Sequence, residues 1–600
     1  MTGWRKRMFY KTYRVVLPLV AFLAVLPLLI EGPTCGHDLG FHLLSWMEAA
    51  RSFAHGDVHP AWISAAAYNA GEPRFIFYPP VSWTMGGLLT LAVEHVARAV
   101  HIGPGSAFAL VPIIYTWIAL TAAGFGMHRV VRCYAGPRAS LFVSVLYLAN
   151  PYTLFTAYER TAFAELLAAA LLPLLLGAVL EGRVRVAKLG LVIALLWVTN
   201  APAAVMGCYA VALIAAVRTA MLLWRAADRG RALRFAVQIC AATLFGLGLA
   251  SFYLVPAAYE RRWVEINMAV LPGLRVEDNT IFHHFGESFH DAVNHTVSVV
   301  ALLIAAFALT ALATNFGDEY FSGRGSSGSE GFPSHERAMR VSLFALVVAI
   351  LFLLTPLSLR AWHDLPELAF LQFPWRLLAV LASAVCMLLA LALGGRGPLR
   401  WPAGIVALGA CALGGGLIFP AYTGFHQTCE LDDAPATLFA DFSSGRGAEP
   451  TDEYTPEPAD NDDLRPDNPA YQISGDPSAP APENAHSEPA PRHLDLSLRT
   501  PAYLILNLRD YPAWRVTRNG NFVPDRVSRD DGLLVVPLPA GLSHIDLAFA
   551  ETPDRIAGDL LSVVAVLFLL ALALMSRRTP SSRRGRAEDA PQRRIRGADL

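Results

Sequence analysis

Apolar runs long enough to cross a lipid bilayer recur along almost the whole chain. A helix needs about 20 apolar residues to span the hydrocarbon layer. Hydrophobic residues make up 54% of the 600 positions and charged residues only 16%, a balance that excludes a soluble globular protein. We therefore predict an all-α polytopic membrane protein of about 12 transmembrane helices, at residues 15–31, 106–127, 139–157, 162–180, 187–199, 203–223, 235–255, 295–314, 341–358, 376–394, 402–420 and 557–575.

One further apolar stretch, residues 81–100, is interrupted by Glu94, His95 and Arg98. Lys and Arg concentrate in the cytoplasmic loops of membrane proteins. If residues 81–100 crossed the bilayer, the basic loops after the second and fourth predicted spans would lie outside. If they lie along the outer leaflet as a juxtamembrane helix, both loops fall inside, as does the tail after Met575, which holds eight Arg against three acidic residues. We predict the second arrangement, with cytoplasmic termini in a bacterial inner membrane.

The soluble part of the chain is predicted to lie outside, before the last span. Residues 430–490 hold fifteen acidic residues against two Arg, which suits a poorly ordered linker or a long excursion. Residues 493–498 alternate polar and apolar side chains, and Asn519-Gly520 is a hairpin signal, so a small β-sandwich should follow.

The predicted organisation is a first transmembrane helix (1–31), an extracytoplasmic loop with juxtamembrane helices (32–105), a transmembrane core (106–420), an acidic Pro- and Ala-rich extracytoplasmic segment (421–492), an extracytoplasmic β domain (493–556), a last transmembrane helix (557–575) and a basic cytoplasmic tail (576–600).

Charge and motifs exclude several classes of function. The acidic segment and the basic tail indicate topology, so no nucleic-acid partner is expected. Phosphate-binding loops of the Walker type, dinucleotide fingerprints and nucleophile elbows are missing from the sequence, which leaves ATP-driven chemistry without support. Among seven cysteines, Cys35 and Cys429 would both lie outside, where an oxidising compartment permits but does not require a bridge.

Asp38 is the sharpest chemical candidate, because charged groups near the ends of membrane helices are costly and so are often functional. It follows the first span by about seven residues and is flanked by His37 and His42. An Asp and His pair suits a general base or a divalent cation. The alternative is a helix cap for residues 39–50.

Two other segments before residue 170 carry charge at predicted outer helix ends. Glu72, Arg74 and Tyr78 belong to the Pro-stiffened segment Gly71-Glu72-Pro73-Arg74-Phe75-Ile76-Phe77-Tyr78-Pro79-Pro80, which suits either substrate contacts or an interfacial aromatic belt. Glu159 and Arg160, with Glu165 nearby, either line a site or pair with each other.

Arg376 opens a later span and suits a phosphate group, either that of a substrate or that of a lipid headgroup. The loop containing His283 and His284, with His290 and four carboxylates nearby, could complete a metal site with Asp38. A divalent metal ion is thus the one cofactor that the sequence suggests.

An ordered set of motifs resembles those of a known family, and the resemblance covers nearly the whole chain. The set is Asp38 with Phe41-His42, His55-Gly56-Asp57 with Pro60-Ala61-Trp62, the segment from Gly71 to Pro80, Tyr158-Glu159-Arg160 with Glu165, Tyr253-Leu254-Val255-Pro256-Ala257 with Glu260, Gln372-Phe373-Pro374-Trp375-Arg376, Tyr511-Pro512-Ala513-Trp514, Asn519-Gly520, Asp531-Gly532-Leu533 and Pro539-Ala540-Gly541. It is similar to bacterial membrane proteins known as "6-pyruvoyl-tetrahydropterin synthase-related" and to their YfhO-like relatives.

The resemblance implies a GT-C type glycosyltransferase architecture, although nothing here resembles a soluble pterin synthase. Such enzymes transfer a sugar from a polyprenyl-phosphate donor to a cell-envelope glycan or protein acceptor on the outer face. The resemblance makes Asp38 the base or metal ligand, places Glu72 and Arg74 where donor contacts are expected, and assigns Arg376 to the lipid phosphate. Near the end of the fifth predicted span, relatives often carry a His, whereas this chain has Thr199-Asn200-Ala201-Pro202. An Asn can form hydrogen bonds but cannot shuttle a proton near neutral pH.

Two other functions stay open from the sequence. The same charges could line the path of a lipid-linked glycan transporter or flippase, or the chain could be a non-catalytic envelope-assembly protein whose β domain binds a partner. Most of the charges lie at the ends of the predicted spans, which favours chemistry at the membrane surface over transport.

Overall fold

The protein is a mostly helical, multi-pass membrane protein with a small β domain. The computed structural model describes residues 12–224, 229–321, 335–394, 425–483 and 485–578. Within these ranges, eight helices are long and apolar enough to cross a membrane, or nine if a bent pair counts as one span. The expected number of about twelve is therefore not confirmed, and the predicted span at 402–420 lies outside the described residues.

We number the helices in chain order. They are α1 (Tyr13–Ile30), α2 (Leu39–Ala54), α3 (Arg74–Phe77), α4 (Pro80–Val100), α5 (Pro104–Phe108), α6 (Leu110–Val131), α7 (Pro137–Leu148), α8 (Pro151–Tyr158), α9 (Phe163–Ala168), α10 (Leu172–Leu180), α11 (Val186–Thr199), α12 (Ala201–Leu223), α13 (Arg229–Leu249), α14 (Ser251–Glu260), α15 (Ser288–Phe321), α16 (His335–Leu353), α17 (Leu359–Asp364), α18 (Leu378–Gly394), α19 (Pro435–Ser444) and α20 (Pro553–Arg578). Short 3₁₀ turns lie at Arg261–Trp263, Ile266–Val270, Glu277–Asn279, Pro356–Ser358, Ala369–Leu371, Pro374–Leu377 and Asp452–Tyr454.

Two predicted spans differ in the structure for identifiable reasons. The span expected at 341–358 is not one straight helix, because α16 ends at Leu353 and the chain bends by 98° before the turn that begins at Pro356. Proline has no N–H to continue the helical hydrogen bonds. The span expected at 187–199 forms α11, which has 14 residues and is shorter than a usual membrane crossing.

Two helices of the first loop, which we define as residues 32–105, pack side by side. α2 and α4 contact each other, and residues 80–100 are helical throughout. α4 is not among the candidate spans of the described chain. Gly86 and Gly87 permit the close approach, since a Cβ at Gly86 would lie 2.2 Å from the Trp46 ring of α2.

The β domain consists of two antiparallel sheets. Their strands are β1 (Tyr471–Ser474), β2 (His493–Leu498), β3 (Ala502–Arg509), β4 (Trp514–Arg518), β5 (Asn521–Phe522), β6 (Leu533–Leu538) and β7 (Gly541–Phe549). One sheet has the order β1-β3-β6 and the other β2-β7-β4-β5. The Asn519-Gly520 turn joins β4 to β5 with φ of 51° and 78°, the left-handed values that such a hairpin requires.

The acidic segment is more structured than its composition suggests. It forms α19 and contributes β1, which pairs with β3 from Tyr471 to Ser474. The β domain therefore begins before the boundary predicted at residue 493. Alternation over only four residues is too short to separate a strand from a linker in an acidic sequence.

Two buried contacts attach the β domain to the rest of the chain. Trp62 of the first loop packs on Tyr511, Trp514 and Phe549 of the β domain, with ring centroids 5.4 to 5.8 Å apart. Glu260, at the end of α14, accepts hydrogen bonds from Tyr511 at 2.5 Å and from Arg555 at 2.7 and 3.0 Å. The first loop, α14, the β domain and α20 are thus held together by buried contacts.

A disulfide joins the first loop to the segment after residue 424. Cys35 and Cys429, for which the sequence left a bridge open, are bonded, and they are 394 residues apart in the chain. The backbone N–H of Cys35 also donates to the carbonyl of Gln427 at 3.0 Å. The bridge therefore fixes the residues just before Asp38.

We predict that Cys35 and Cys429 are both protected from a maleimide reagent until the protein is reduced. A covalent link across so many residues restricts the unfolded chain, so Cys35→Ser should lower the thermal midpoint of the full-length protein in detergent. Cys133→Ser, at an exposed free cysteine, is the matched control and should leave the midpoint unchanged. Labelling of Cys35 and Cys429 without reductant would contradict the bridge.

Candidate functional site

The first loop is bound through its backbone to the turn between α8 and α9. The N–H of His37 donates to the carbonyl of Glu159 at 3.2 Å, and the N–H of Asp38 donates to the carbonyl of Arg160 at 2.9 Å. Gly36 is required for this approach, because a Cβ there would lie 2.4 Å from the Glu159 carbonyl oxygen. The sequence Cys35-Gly36-His37-Asp38 therefore holds Asp38 against Arg160.

Four charged residues meet at this point, and we call Asp38, Arg160, Glu165 and Arg376 the charged cluster. Arg160 lies between the two carboxylates, with its Nη1 at 2.7 Å from Glu165 and its Nη2 at 3.7 Å from Asp38. Arg376 approaches Glu165 at 3.7 Å. Three of the four side chains are at most 12% exposed, whereas Asp38 is 32% exposed. Asp38 is thus the member that solvent reaches most easily.

Asp38 forms a dyad with its neighbour His37. The His37 Nδ1 lies 3.0 Å from the Asp38 Oδ1, and the His37 side chain is 65% exposed. Burial raises the pKa of Asp38, but the hydrogen bond with His37 and the charge of Arg160 outweigh it, so this pKa lies below its ordinary value. The hydrogen bond to Asp38 raises the pKa of His37. Asp38 stays ionised, and the proton-accepting capacity of the dyad moves toward the imidazole.

Arg376 has an unpartnered donor in a buried position. Its Nη1 donates to the Leu371 carbonyl at 3.1 Å, whereas its Nε is buried, makes no hydrogen bond with the described residues and lies 3.7 Å from the Glu165 Oε2. Buried polar groups are nearly always hydrogen-bonded, so an exception calls for an explanation. The turn that begins at Pro374 places Arg376 here, and Gln372, with a φ of 62°, anchors it by donating to the Ala269 carbonyl at 2.6 Å.

Aromatic rings lie beside the two arginines, and a small cavity borders Glu165. The Arg160 guanidinium lies 4.9 Å from the Trp375 ring centroid, and that of Arg376 lies 5.0 Å from the Phe373 centroid. Toward the helices, Tyr152 donates to Glu165. Glu165 also borders a small cavity of about 10 Å³, whose polar lining includes Tyr147, Asn150, Tyr152, Thr153 and Thr156.

His42 and Tyr78 lie in the same region but differ in role. The His42 ring is buried between Phe41, Trp46, Tyr78 and Phe163. Burial lowers the pKa of His42 to about 4, so this ring is neutral and acts as packing. Tyr78 is half-buried, and burial keeps its pKa well above the ordinary value, so its hydroxyl remains a hydrogen-bond donor.

Glu72 and Arg74 are paired in a neighbouring buried layer. Their side chains are each 2% exposed and meet at 2.6 Å. Arg74 further donates to the Phe41 carbonyl at 3.0 Å and to the Thr451 hydroxyl at 2.8 Å, while Glu72 accepts the Thr451 N–H at 3.0 Å. The pair therefore holds α2 and the segment after α19 in position, and its hydrogen-bonding groups are already used.

Glu159 does not pair with Arg160, the alternative that the sequence left open. Its carboxylate accepts from Gln427 Nε2 at 2.7 Å, and its carbonyl receives the His37 N–H. Burial raises the pKa of Glu159. Glu159 thus links the first loop to the disulfide-bonded segment and stands beside the charged cluster.

The predicted metal set is not assembled. His284 pairs with Asp291 at 2.6 Å and is 82% exposed, whereas Asp38 is engaged by His37 and Arg160. Among the described residues, no group of three or more His, Cys, Asp or Glu side chains could hold a metal ion. The expected ligands Asp38, His283 and His284 therefore do not fit a shared site, because sequence order gave no information on where the loop after α14 would fold.

Sequence reasoning underrated two residues and missed one. His37 and Glu165 were noted only as neighbours of other candidates, and Tyr152 was not considered. A signal did exist for Glu165, since it lies within an apolar helix where a carboxylate is costly. Tyr152 had none, because a tyrosine near a helix end is common in membrane proteins. Asn200 caps α12 by accepting the Ala203 N–H at 2.8 Å.

Comparisons with known proteins give only distant likenesses. No family model matches the chain, and no curated protein matches it. One similar solved structure is the arabinofuranosyltransferase AftD from mycobacteria, with TM-score 0.39, 14% identity and coverage of 90% of this chain and 42% of that one.

Two other similar structures are those of an archaeal oligosaccharyltransferase from Archaeoglobus fulgidus. AglB, in complex with an inhibitory peptide and a dolichol-phosphate, gives TM-score 0.37, 14% identity and coverage of 74% and 57%. The apo form gives TM-score 0.36, 14% identity and coverage of 75% and 57%. The chain thus spans about half the length of the solved proteins that it resembles, all of which are glycosyl-transferring enzymes by name.

Proposed function

We propose that the protein is an integral membrane glycosyltransferase of GT-C type. It would transfer a sugar from a polyprenyl-phosphate donor to a cell-envelope glycan or protein acceptor. The observation that supports this most is the charged cluster, which combines an accessible Asp38 with an Arg376 whose buried Nε has no hydrogen-bond partner among the described residues. Asp38 would support proton removal by its neighbour His37, and the Arg376 guanidinium would bind the anionic leaving group.

The proposed reaction uses Asp38 with His37 on one side of the charged cluster and the two arginines on the other. The acceptor hydroxyl oxygen would form a bond to the anomeric carbon of the donor, while the bond from that carbon to the phosphate oxygen breaks. The electron pair leaves with the polyprenyl phosphate, whose charge Arg376 and Arg160 offset. The acceptor proton passes to the imidazole of His37, which Asp38 orients and whose positive charge Asp38 stabilises. Holding both groups on fixed backbone reduces the entropy lost on reaction.

The location that suits this reaction is the outer face of a bacterial inner membrane. Positive residues at the opposite helix ends, including Arg129, Arg132 and Arg185, would face the cytoplasm. A disulfide between Cys35 and Cys429 suits an oxidising compartment outside it. The N-terminus and the C-terminus would both be cytoplasmic.

We predict that Asp38→Asn inserts normally but loses at least about 100-fold in sugar transfer, because an amide cannot stabilise a charged imidazole. The measurement is release of polyprenyl phosphate from a panel of polyprenyl-phosphate-linked sugars, in liposomes supplied with an envelope glycan extract. Asp57→Asn, an exposed residue of the same loop, is the control. Full activity of Asp38→Asn would remove Asp38 from the mechanism.

We also predict that Arg376→Lys weakens donor binding about tenfold or more. A lysine keeps the charge but loses the planar donors that match a phosphate. The affinity for a polyprenyl monophosphate is measured with the purified full-length protein. Arg360→Lys, on an exposed helix nearby in sequence, is the control. Unchanged affinity in Arg376→Lys would show that the phosphate binds elsewhere.

A pH profile tests which group takes the proton. A protonated imidazole cannot accept another proton, so transfer by the wild type should rise with pH through an apparent pKa above the usual 6.5 of histidine. In His37→Gln this rise should disappear, and the rate should fall about 100-fold. His55→Gln, an exposed histidine at the end of α2, is the control. If His37→Gln keeps both rate and profile, His37 does not accept the proton.

A further inference from the structure

Glu165 separates two arginines that would otherwise repel each other. It is 5% exposed, and its Oε2 lies 2.7 Å from Arg160 and 3.7 Å from Arg376. The first contact is a charge-assisted hydrogen bond, whereas the second is too long to be one. Its Oε1 accepts from the Tyr152 hydroxyl. Glu165 is therefore held firmly by Arg160 and Tyr152 and only loosely by Arg376.

This arrangement leaves Arg376 incompletely neutralised. Its Nε is buried, makes no hydrogen bond with the described residues and has the Glu165 Oε2 at 3.7 Å. Glu165 thus cancels part of the positive field that Arg160 and Arg376 would exert together. A phosphate that binds Arg376 must share that field with the Glu165 carboxylate. Since both anions would lie in a poorly hydrated region, their repulsion is screened much less than in water.

We propose that Glu165 is an internal counter-anion, which competes with a bound phosphate for Arg160 and Arg376 and so limits how tightly the site holds the polyprenyl phosphate product. This inference rests on the proposed function. Glu165 is a positioning residue, because it acts through the two arginines and has no part in the bond that forms. Its contribution is to let the product leave after each transfer.

The inference predicts a gain of affinity on removing a charge. One unit of negative charge within about 7 Å of a bound phosphate, at an effective dielectric constant of about 20, changes the binding constant roughly 10- to 100-fold. Glu165→Gln keeps the shape of the side chain and can still accept from Arg160. It should therefore bind a polyprenyl monophosphate at least about tenfold more tightly than the wild type.

The experiment measures binding of two probes to the full-length protein in detergent. The probes are a short-chain polyprenyl monophosphate and inorganic phosphate, and the proteins are the wild type, Glu165→Gln, Arg376→Gln and the double variant. Glu94→Gln removes one negative charge from the juxtamembrane helix α4 and should leave both affinities within twofold. In the Arg376→Gln background, Glu165→Gln should tighten binding much less, because one of the two arginines for which Glu165 and the phosphate compete is missing.

Turnover gives a second readout that a purely structural role would not move. If Glu165 governs product release, Glu165→Gln should slow multiple turnovers more than a single turnover, and added polyprenyl monophosphate should inhibit it more strongly. A structural defect would lower both rates together. Equal or weaker phosphate binding by a Glu165→Gln protein with an unchanged thermal midpoint would overturn the inference.

The test also covers a Glu165→Gln protein that does not fold and a wild type that does not bind the lipid probe. If Glu165→Gln does not fold, Glu165→Asp, which withdraws the charge by one methylene group, should tighten binding about threefold, and no change would overturn the inference. If the wild type does not bind polyprenyl monophosphate at all, the proposed donor is wrong. Inorganic phosphate then decides the role of Glu165 alone, since tighter binding by Glu165→Gln supports the counter-anion and equal binding overturns it.

Discussion

The placement of two guanidinium groups at the end of an apolar helical bundle is the constraint on which the site depends. Removing a charged group from water costs several kcal/mol unless a partner compensates. Glu165 provides that compensation for Arg160 at 2.7 Å, and Asp38 adds a second negative charge at 3.7 Å. Arg376 receives only a distant share of this negative charge, at 3.7 Å from Glu165, and this is the basis for proposing an anion site there.

The contacts that hold residues 34–38 in place serve the same charge compensation. Asp38 can act on Arg160 only if its loop is held in place, and backbone hydrogen bonds to residues 159 and 160 do this. The disulfide and the backbone of Gln427 attach the same loop to the segment after residue 424, and Trp62 attaches it to the β domain. The distal domain is thus connected to the charged cluster through the first loop.

Sequence reasoning predicted the helical membrane class and the β domain, because hydrophobic length and short-range alternation are local properties. The strand at His493–Leu498 has the predicted bounds, whereas β1 was missed because four residues in an acidic segment are too few to show a strand pattern. The count of about twelve spans is not confirmed, because the chain bends near Pro356, α11 is short, and residues 402–420 lie outside the described residues. Asp38, Arg160 and Arg376 were identified as candidates, since charges at helix ends are conspicuous. Their mutual distances depend on tertiary packing, and so the sequence also proposed a metal set that the fold does not assemble.

Glu72 and Arg74 show how exposure separates binding residues from structural ones of the same chemistry. By sequence they are as plausible as Asp38 and Arg376, being an acid and a base in an aromatic segment. In the structure, Arg74 donates to Glu72, Phe41, Ser45 and Thr451. A ligand that reached it would have to displace hydrogen bonds already made, at a net loss. The Arg376 Nε, by contrast, makes no hydrogen bond with the described residues and faces the Glu165 Oε2 at 3.7 Å, so an anion binding there would displace fewer hydrogen bonds. The buried pair therefore belongs to the framework that fixes α2, and for this reason the proposed phosphate contact is assigned to Arg376.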